Sequence, residues 1–116
     1  MSDPRVIVAD WRQAREQLQT ARQEGRAVLL CSPEGASSYL GAGFWKALQD
    51  KAETEFPDVT FTLALDCAQR AGDAMAALRA GVRAIVFTGP EEVAAKLRDM
   101  AGQSGVVILA NCQNPS

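Results

Sequence analysis

The sequence predicts an α/β protein built on a five-stranded, mainly parallel sheet that is covered by helices. Five short apolar runs cross the chain, and four of them lead into a segment with helical periodicity. The stretches between successive runs are long enough for the helical crossover that parallel strands require. Each run also stops at a polar or thiol residue, so polar or thiol side chains are predicted at the carboxyl ends of the strands.

The strands are predicted at residues 5–9, 27–31, 60–65, 84–87 and 106–110. The first helix follows Asp10, which forms a capping-box pattern with Gln13, and Gly25 ends it. The buried face of this helix carries apolar residues at helical spacing, namely Trp11, Ala14, Leu18 and Ala21.

The connection over residues 32–43, which is rich in Ser, Gly and Pro, leads into the second helix, and Pro57 breaks that helix. Its predicted buried stripe consists of Phe44, Trp45, Leu48, Ala52 and Phe56. The third helix is predicted over residues 71–80 and closes at Gly81. The fourth starts at Pro90 with two glutamates in its first turn and stops at Gly102.

Two architectures are compatible with this order of elements. Right-handed crossovers make the strands parallel. One architecture is a single-domain three-layer αβα fold with an open, flavodoxin-like sheet and helices on both faces. The other keeps the strands in sequential order, as in part of a (β/α)8 barrel. The length of 116 residues favours the open sheet. We expect residues 1–116 to form this domain, with 113–116 as a disordered tail.

The charge and the cysteines exclude several classes of function. A net charge of −2, with the arginines scattered along the chain, predicts no nucleic-acid partner. No leader and no apolar run long enough to span a bilayer are found, so no membrane partner is expected. Three widely spaced cysteines do not form a disulfide pattern, which indicates reduced thiols and a cytoplasmic location.

One passage of the chain contains, in this order, a predicted helix, Ala-Gly-Val, an apolar strand, a small residue and Gly. It runs from Leu65-Asp66-Cys67 through Ala80-Gly81-Val82 to Thr88-Gly89. Over about a quarter of the chain it resembles the strand-helix-strand units of aldolase-type barrels. That resemblance does not carry over the Schiff-base lysine of such aldolases, because the lysines of this chain all fall within predicted helices: Lys46, Lys51 and Lys96. The whole chain also resembles small uncharacterised bacterial α/β proteins.

The 32–43 connection is the first candidate site, because it joins the carboxyl end of a strand to the amino end of a helix. A small anionic ligand there would contact backbone N–H groups and hydroxyls. The candidate ligand-binding residues are Ser32, Ser37, Ser38, Gly41 and Gly43, with Thr88 at a neighbouring strand end. The segment lacks the Lys-Ser/Thr of a Walker loop and the spacing of a dinucleotide fingerprint. The alternative interpretation is a surface loop whose glycines permit turns and close packing.

Asp66 and Cys67 are the catalytic candidates, because they end the third strand. The carboxylate of Asp66 can act as a base or orient a ligand hydroxyl, or it can accept backbone hydrogen bonds in the following turn. The thiol of Cys67 needs a lowered pKa to react, and the chain contains no histidine to activate it.

The sequence predicts neither a metal site nor a cofactor. Cys31, Cys67 and Cys112, with Asp66 or Asp10, are chemically suitable ligands for a metal, but zinc sites usually include a local pair such as CxxC, and this chain has none.

Three functions remain open at this point. The first is a small-molecule or protein binding module whose site is formed by residues 32–43 and Asp66. The second is a carboxylate-dependent lyase, isomerase or hydrolase. The third is a subunit of a homo-oligomer. The geometry at Asp66 separates them: an enclosed cleft with converging polar groups favours chemistry, and a flat apolar surface favours a protein partner.

Overall fold

A five-stranded, all-parallel sheet forms the centre of the protein. The computed structural model describes residues 5–110, without the side chain of Arg5. The strands are β1 (Arg5–Ile7), β2 (Val28–Cys31), β3 (Phe61–Asp66), β4 (Ala84–Val86) and β5 (Val107–Leu109). The helices are α1 (Trp11–Glu24), α2 (Ser37–Leu40), α3 (Ala42–Glu55), α4 (Ala71–Ala80) and α5 (Glu91–Gly102). The predicted α/β class, with five parallel strands and helices around them, is confirmed.

The strands lie side by side in the order β1-β2-β3-β4-β5. Every crossover therefore moves along the sheet in one direction, and right-handed crossovers that all advance the same way place their helices on one face. The contacts agree, because α1 packs on α3, α3 on α4 and α4 on α5. The protein thus combines the predicted open sheet with the sequential strand order that we associated with the barrel-like alternative.

The main core lies between the sheet and this row of helices. It joins alternate strand residues such as Leu30, Leu65 and Ile85 to helix residues such as Leu18 and Trp45. Each large apolar side chain buried in this way contributes roughly 1.5–3 kcal/mol to folding. The alternation along each strand therefore determines which face of the sheet receives the helices.

The opposite face of the sheet carries a second, smaller apolar cluster. Its buried members are all strand residues: Leu29, Cys31, Ala64, Ala84 and Val86. Toward the two outer strands this face is open, since Ile7 is 52% and Val107 is 51% exposed. We expected helices on both faces, whereas the helices within residues 5–110 pack on one. The reason is the strand order, because a chain must reverse its direction along the sheet to place helices on the second face.

Local signals set the ends of the helices as predicted. A side-chain oxygen of Asp10 accepts a hydrogen bond from the Gln13 N–H at 2.8 Å, and Gln13 Oε1 accepts one from the Ala9 N–H at 2.7 Å. Gly25 ends α1 with a φ of +63°, in the left-handed region that glycine adopts without strain. The third predicted helix is α4, with the predicted limits of residues 71–80.

The described helices also bear on the expected absence of a membrane partner. Within residues 5–110, no helix has both the length and the apolar character needed to cross a bilayer. The predicted tail at 113–116 and the thiol of Cys112 lie outside the described residues.

Candidate functional site

The carboxyl ends of β2 and β3 are neighbours, because Cys31 of β2 is in register with Ala64 of β3. This pairing brings the start of the 32–43 segment beside Asp66. The segment is not the irregular loop that its composition predicted. Residues 37–40 form α2, and α3 begins at Ala42.

Asp66 fastens the 32–43 segment to the end of β3. Its Oδ1 accepts hydrogen bonds from the Gly35 N–H at 3.1 Å and from the Ala68 N–H at 2.8 Å. The backbone N–H of Asp66 itself donates to Ser32 Oγ at 2.8 Å. The residue is only 7% exposed. The geometry thus matches the backbone-accepting role that we set beside the catalytic one.

The three candidate serines use their hydroxyls within the protein. Ser37 Oγ donates to Asp73 Oδ2 at 2.8 Å, which ties α2 to α4. Ser38 Oγ donates to the Gly35 carbonyl at 3.0 Å, and Ser32 Oγ donates to the Pro33 carbonyl at 3.1 Å. These hydroxyls therefore stabilise the segment and do not converge on an open point.

The candidate glycines serve the junction of α2 and α3. Gly41 separates the two helices with a φ of +73°, a value that side chains disfavour. Gly43 lies in the first turn of α3, with open space where a Cβ would stand. Both glycines are thus explained by the turn and by surface position.

Thr88 lies at another part of the carboxyl end, between β4 and β5. Its N–H donates to the Ala68 carbonyl at 2.8 Å, and its side chain is exposed. It lines a small cleft of about 240 Å³ together with Gly89, Glu91 and Arg98. The Arg98 guanidinium forms an ion pair with Glu91. Arg98 and Glu91 thus form a charged wall of this cleft.

Cys67 is a buried thiol of the main core. Burial raises the pKa of the Cys67 thiol to about 11, and the nearby Asp73 and Asp66 carboxylates act in the same direction against a hydrogen bond from Ser37. A reactive cysteine needs the opposite shift and access to solvent. This environment favours Cys67 as a small apolar residue of the core.

We expect Cys67 to resist alkylation in the folded protein. With a pKa of about 11, roughly one thiol in a thousand is ionised at pH 8, and the side chain has no solvent exposure. Treatment with iodoacetamide at pH 8, followed by peptide mass spectrometry, should show Cys67 unmodified in buffer and fully modified in 8 M urea as the control. Rapid labelling in buffer would restore the nucleophile hypothesis.

Cys31 corrects the expectation of reduced thiols. The residue is fully buried and takes part in a disulfide bond, whereas Cys67 is a free thiol. Sequence spacing did not indicate this bond, because wide separation in the chain says nothing about proximity in space. Within the described part of the chain, no three His, Cys, Asp or Glu side chains are grouped so as to hold a metal ion.

The sequence prediction missed two exposed aromatic residues on the 32–43 segment and its continuation. Tyr39 of α2 is 66% exposed, and Phe44 of α3 is 44% exposed. We had placed Phe44 in the buried stripe of its helix. The stripe instead follows Trp45, Leu48, Gln49 and Ala52. Since each helical residue turns by about 100°, Phe44 lies off the face centred on Trp45, and stricter use of this period would have excluded it.

Comparison with known proteins does not add a function to this geometry. No protein-family model matches the chain, and a search of curated proteins found no match to its sequence.

Proposed function

We propose that this chain is a protein-binding module, and that residues 37–44 form its docking surface. The proposal rests on a contrast between the polar groups and the aromatic side chains of one segment. Its polar groups are satisfied internally, with Asp66 Oδ1 accepting two backbone N–H groups, while Tyr39 and Phe44 are exposed to solvent. An exposed apolar surface at this place is the feature that we expected for a protein partner, in contrast to the enclosed polar cleft expected for an enzyme.

The exposed residues are of the types that contribute most to protein interfaces. Tyrosine and phenylalanine bury large areas with few rotatable bonds, and aromatic residues are enriched at interfaces. The segment that presents them is held near its start by two hydrogen bonds, from the Gly35 N–H to Asp66 and from Ser37 Oγ to Asp73. A surface that is ordered before binding loses less conformational entropy on association. These features favour a partner with an apolar groove.

The charges around the segment argue against a small anionic ligand at the same place. The hydroxyls of Ser37 and Ser38 already donate to internal acceptors. The Asp66 and Asp73 carboxylates lie beside them and would repel an anion. A binding partner would therefore contact exposed backbone and aromatic side chains.

The enzyme alternative has less support from the contacts. Asp66 Oδ1 accepts two backbone hydrogen bonds, which explains this buried carboxylate without catalysis, and burial raises the pKa of Cys67, the second catalytic candidate. A homo-oligomer is a special case of the proposal, in which the partner is a second copy of the chain.

We expect the double substitution Tyr39→Ser, Phe44→Ser to abolish partner capture without unfolding the protein, because both side chains are exposed. A photo-crosslinking amino acid at position 39 should label one protein saturably in cells, and unlabelled wild-type chain should compete whereas the double variant should not. Native mass spectrometry of the purified chain then tells a second copy from a different partner.

The matched control places the same photo-crosslinker at Met100, another large apolar residue, 41% exposed on α5. Equal labelling from positions 39 and 100, or undiminished competition by the double variant, would contradict the proposed surface.

We propose the cytoplasmic location that the sequence predicts, although the Cys31 disulfide removes the reduced-thiol observation on which that prediction rested. Disulfides are uncommon in the reducing cytosol of mesophiles, so the Cys31 disulfide makes this inference directly testable. Acid quenching of the cells, followed by alkylation of the denatured protein at neutral pH and peptide mass spectrometry, should find Cys31 reduced if the chain resides there. Complete oxidation of Cys31 in cells would favour an oxidising compartment.

A further inference from the structure

A second cleft lies at the opposite end of the sheet, where the strands begin. It has a volume of about 550 Å³ and is lined by Glu53, Phe56, Val59, Phe61, Arg83 and Val107, among others. The cleft exists because the strands are staggered. Pairing between β3 and β4 starts at Ala64 with Ala84, so residues 61–63 extend past the start of β4 and have no neighbouring strand residue on that side.

Arg83 is the cationic hydrogen-bond donor of this cleft. Arg83 Nε lies 2.7 Å from Glu53 Oε2, and Arg83 Nη2 donates to Glu53 Oε1 at 3.5 Å. Both oxygens of Glu53 are therefore used. A guanidinium carries five N–H groups, so Arg83 retains donors, and its side chain is 69% exposed. A ligand group that contacts Arg83 must be an acceptor.

The backbone around Arg83 is held in place by a buried glutamine. Gln49 Nε2 donates to the Gly81 carbonyl at 3.2 Å, and Gln49 Oε1 accepts from the Arg83 N–H at 2.9 Å. On the β3 side, the Trp45 indole N–H donates to the Leu63 carbonyl at 3.2 Å. The cleft is thus bounded by fixed backbone on both sides.

We propose that this cleft binds a small amphipathic carboxylate, an aromatic or aliphatic acid whose apolar body contacts Val59 and Val107. The carboxylate would accept hydrogen bonds from the Arg83 guanidinium, the planar donor best suited to it. The volume of the cleft lies within the range of about 300–1,000 Å³ that is typical of ligand sites. This site is separate from the proposed partner surface, which lies beyond the carboxyl end of β2.

The test uses 3-phenylpropionate and its neutral amide as matched probes, titrated into the isotopically labelled chain and followed by two-dimensional NMR. We expect saturable shifts of the backbone amides that line the cleft, with a Kd of the order of millimolar for a ligand of about a dozen non-hydrogen atoms. The amide should bind about tenfold more weakly, because it lacks the charge that strengthens hydrogen bonds to arginine.

Arg83→Gln should weaken phenylpropionate binding about tenfold and remove the preference for the acid over the amide. Arg79→Gln is the control, since Arg79 is exposed on α4 outside the cleft and its replacement changes the net charge equally. The proposal fails if no saturable shift appears up to 20 mM probe, if the shifts lie elsewhere, or if the two arginine variants weaken binding equally.

Discussion

We expect Asp66→Ala to lower the free energy of unfolding by about 2–3 kcal/mol. The substitution removes the acceptor of the Gly35 and Ala68 N–H groups, and each partly buried donor left without a partner costs roughly 1–3 kcal/mol. Chemical denaturation in urea measures the loss. Hydrogen exchange should accelerate most at Gly35 and Ala68, because their amide protons lose a protected position.

Asp66→Asn separates the structural role of Asp66 from a catalytic one. The asparagine keeps a side-chain oxygen at the position of Oδ1, so we expect it to retain most of the stability. Asp99→Ala, at an exposed position of α5, controls for loss of a surface charge and should change stability by less than about 0.5 kcal/mol. Unchanged exchange at Gly35 in the Asp66→Ala variant would contradict the role that we assign to this carboxylate.

The largest loss of stability is expected from Trp45→Ala, at about 3–5 kcal/mol. Trp45 is the largest fully buried side chain, and its indole N–H donates to the Leu63 carbonyl at 3.2 Å. Truncation leaves a cavity between α3 and β3 and a backbone carbonyl without its donor. Thermal and urea unfolding of the variant should show the loss.

Trp45→Phe divides this effect into its two parts. Phenylalanine keeps much of the apolar volume but cannot donate the hydrogen bond, so we expect an intermediate loss of about 1–3 kcal/mol. Phe44→Ala next to it is the surface control, because Phe44 is 44% exposed. If Phe44→Ala destabilised the fold as much as Trp45→Ala, the assignment of Phe44 to the partner surface would be incorrect.

Trp45 and Asp66 each hold one part of the proposed docking surface in place. Trp45 anchors α3 to the sheet, so it fixes the helix on which Phe44 stands. Asp66 fixes the segment that carries Tyr39. Because Trp45 holds α3 and Asp66 holds the 32–43 segment, loss of either should loosen the docking surface, whereas the substitutions at Tyr39 and Phe44 remove the exposed aromatic groups alone.

Much of the candidate site could be located from the sequence, but its chemistry could not. The apolar run that ends at Asp66 predicted that this residue lies near the 32–43 segment, and the pairing of β2 with β3 places them together. The hydrogen bonds to Gly35 and Ala68 depend on the turn after β3, where Ala68 adopts a φ of +50°. Such a turn is stabilised by contacts between distant residues, which periodicity does not record.

The sequence by itself determined the α/β class, the number of strands and the ends of α1 and α4, because alternation, helical period and capping are local properties of the chain. The tertiary structure alone decided that the strands lie in sequential order, that the described helices share one face, and that the stagger of β3 against β4 opens a cleft at Arg83. It also decided that Asp66 accepts hydrogen bonds while Tyr39 stays exposed. These outcomes depend on which distant residues meet, and contacts of that kind leave no periodic pattern in the sequence.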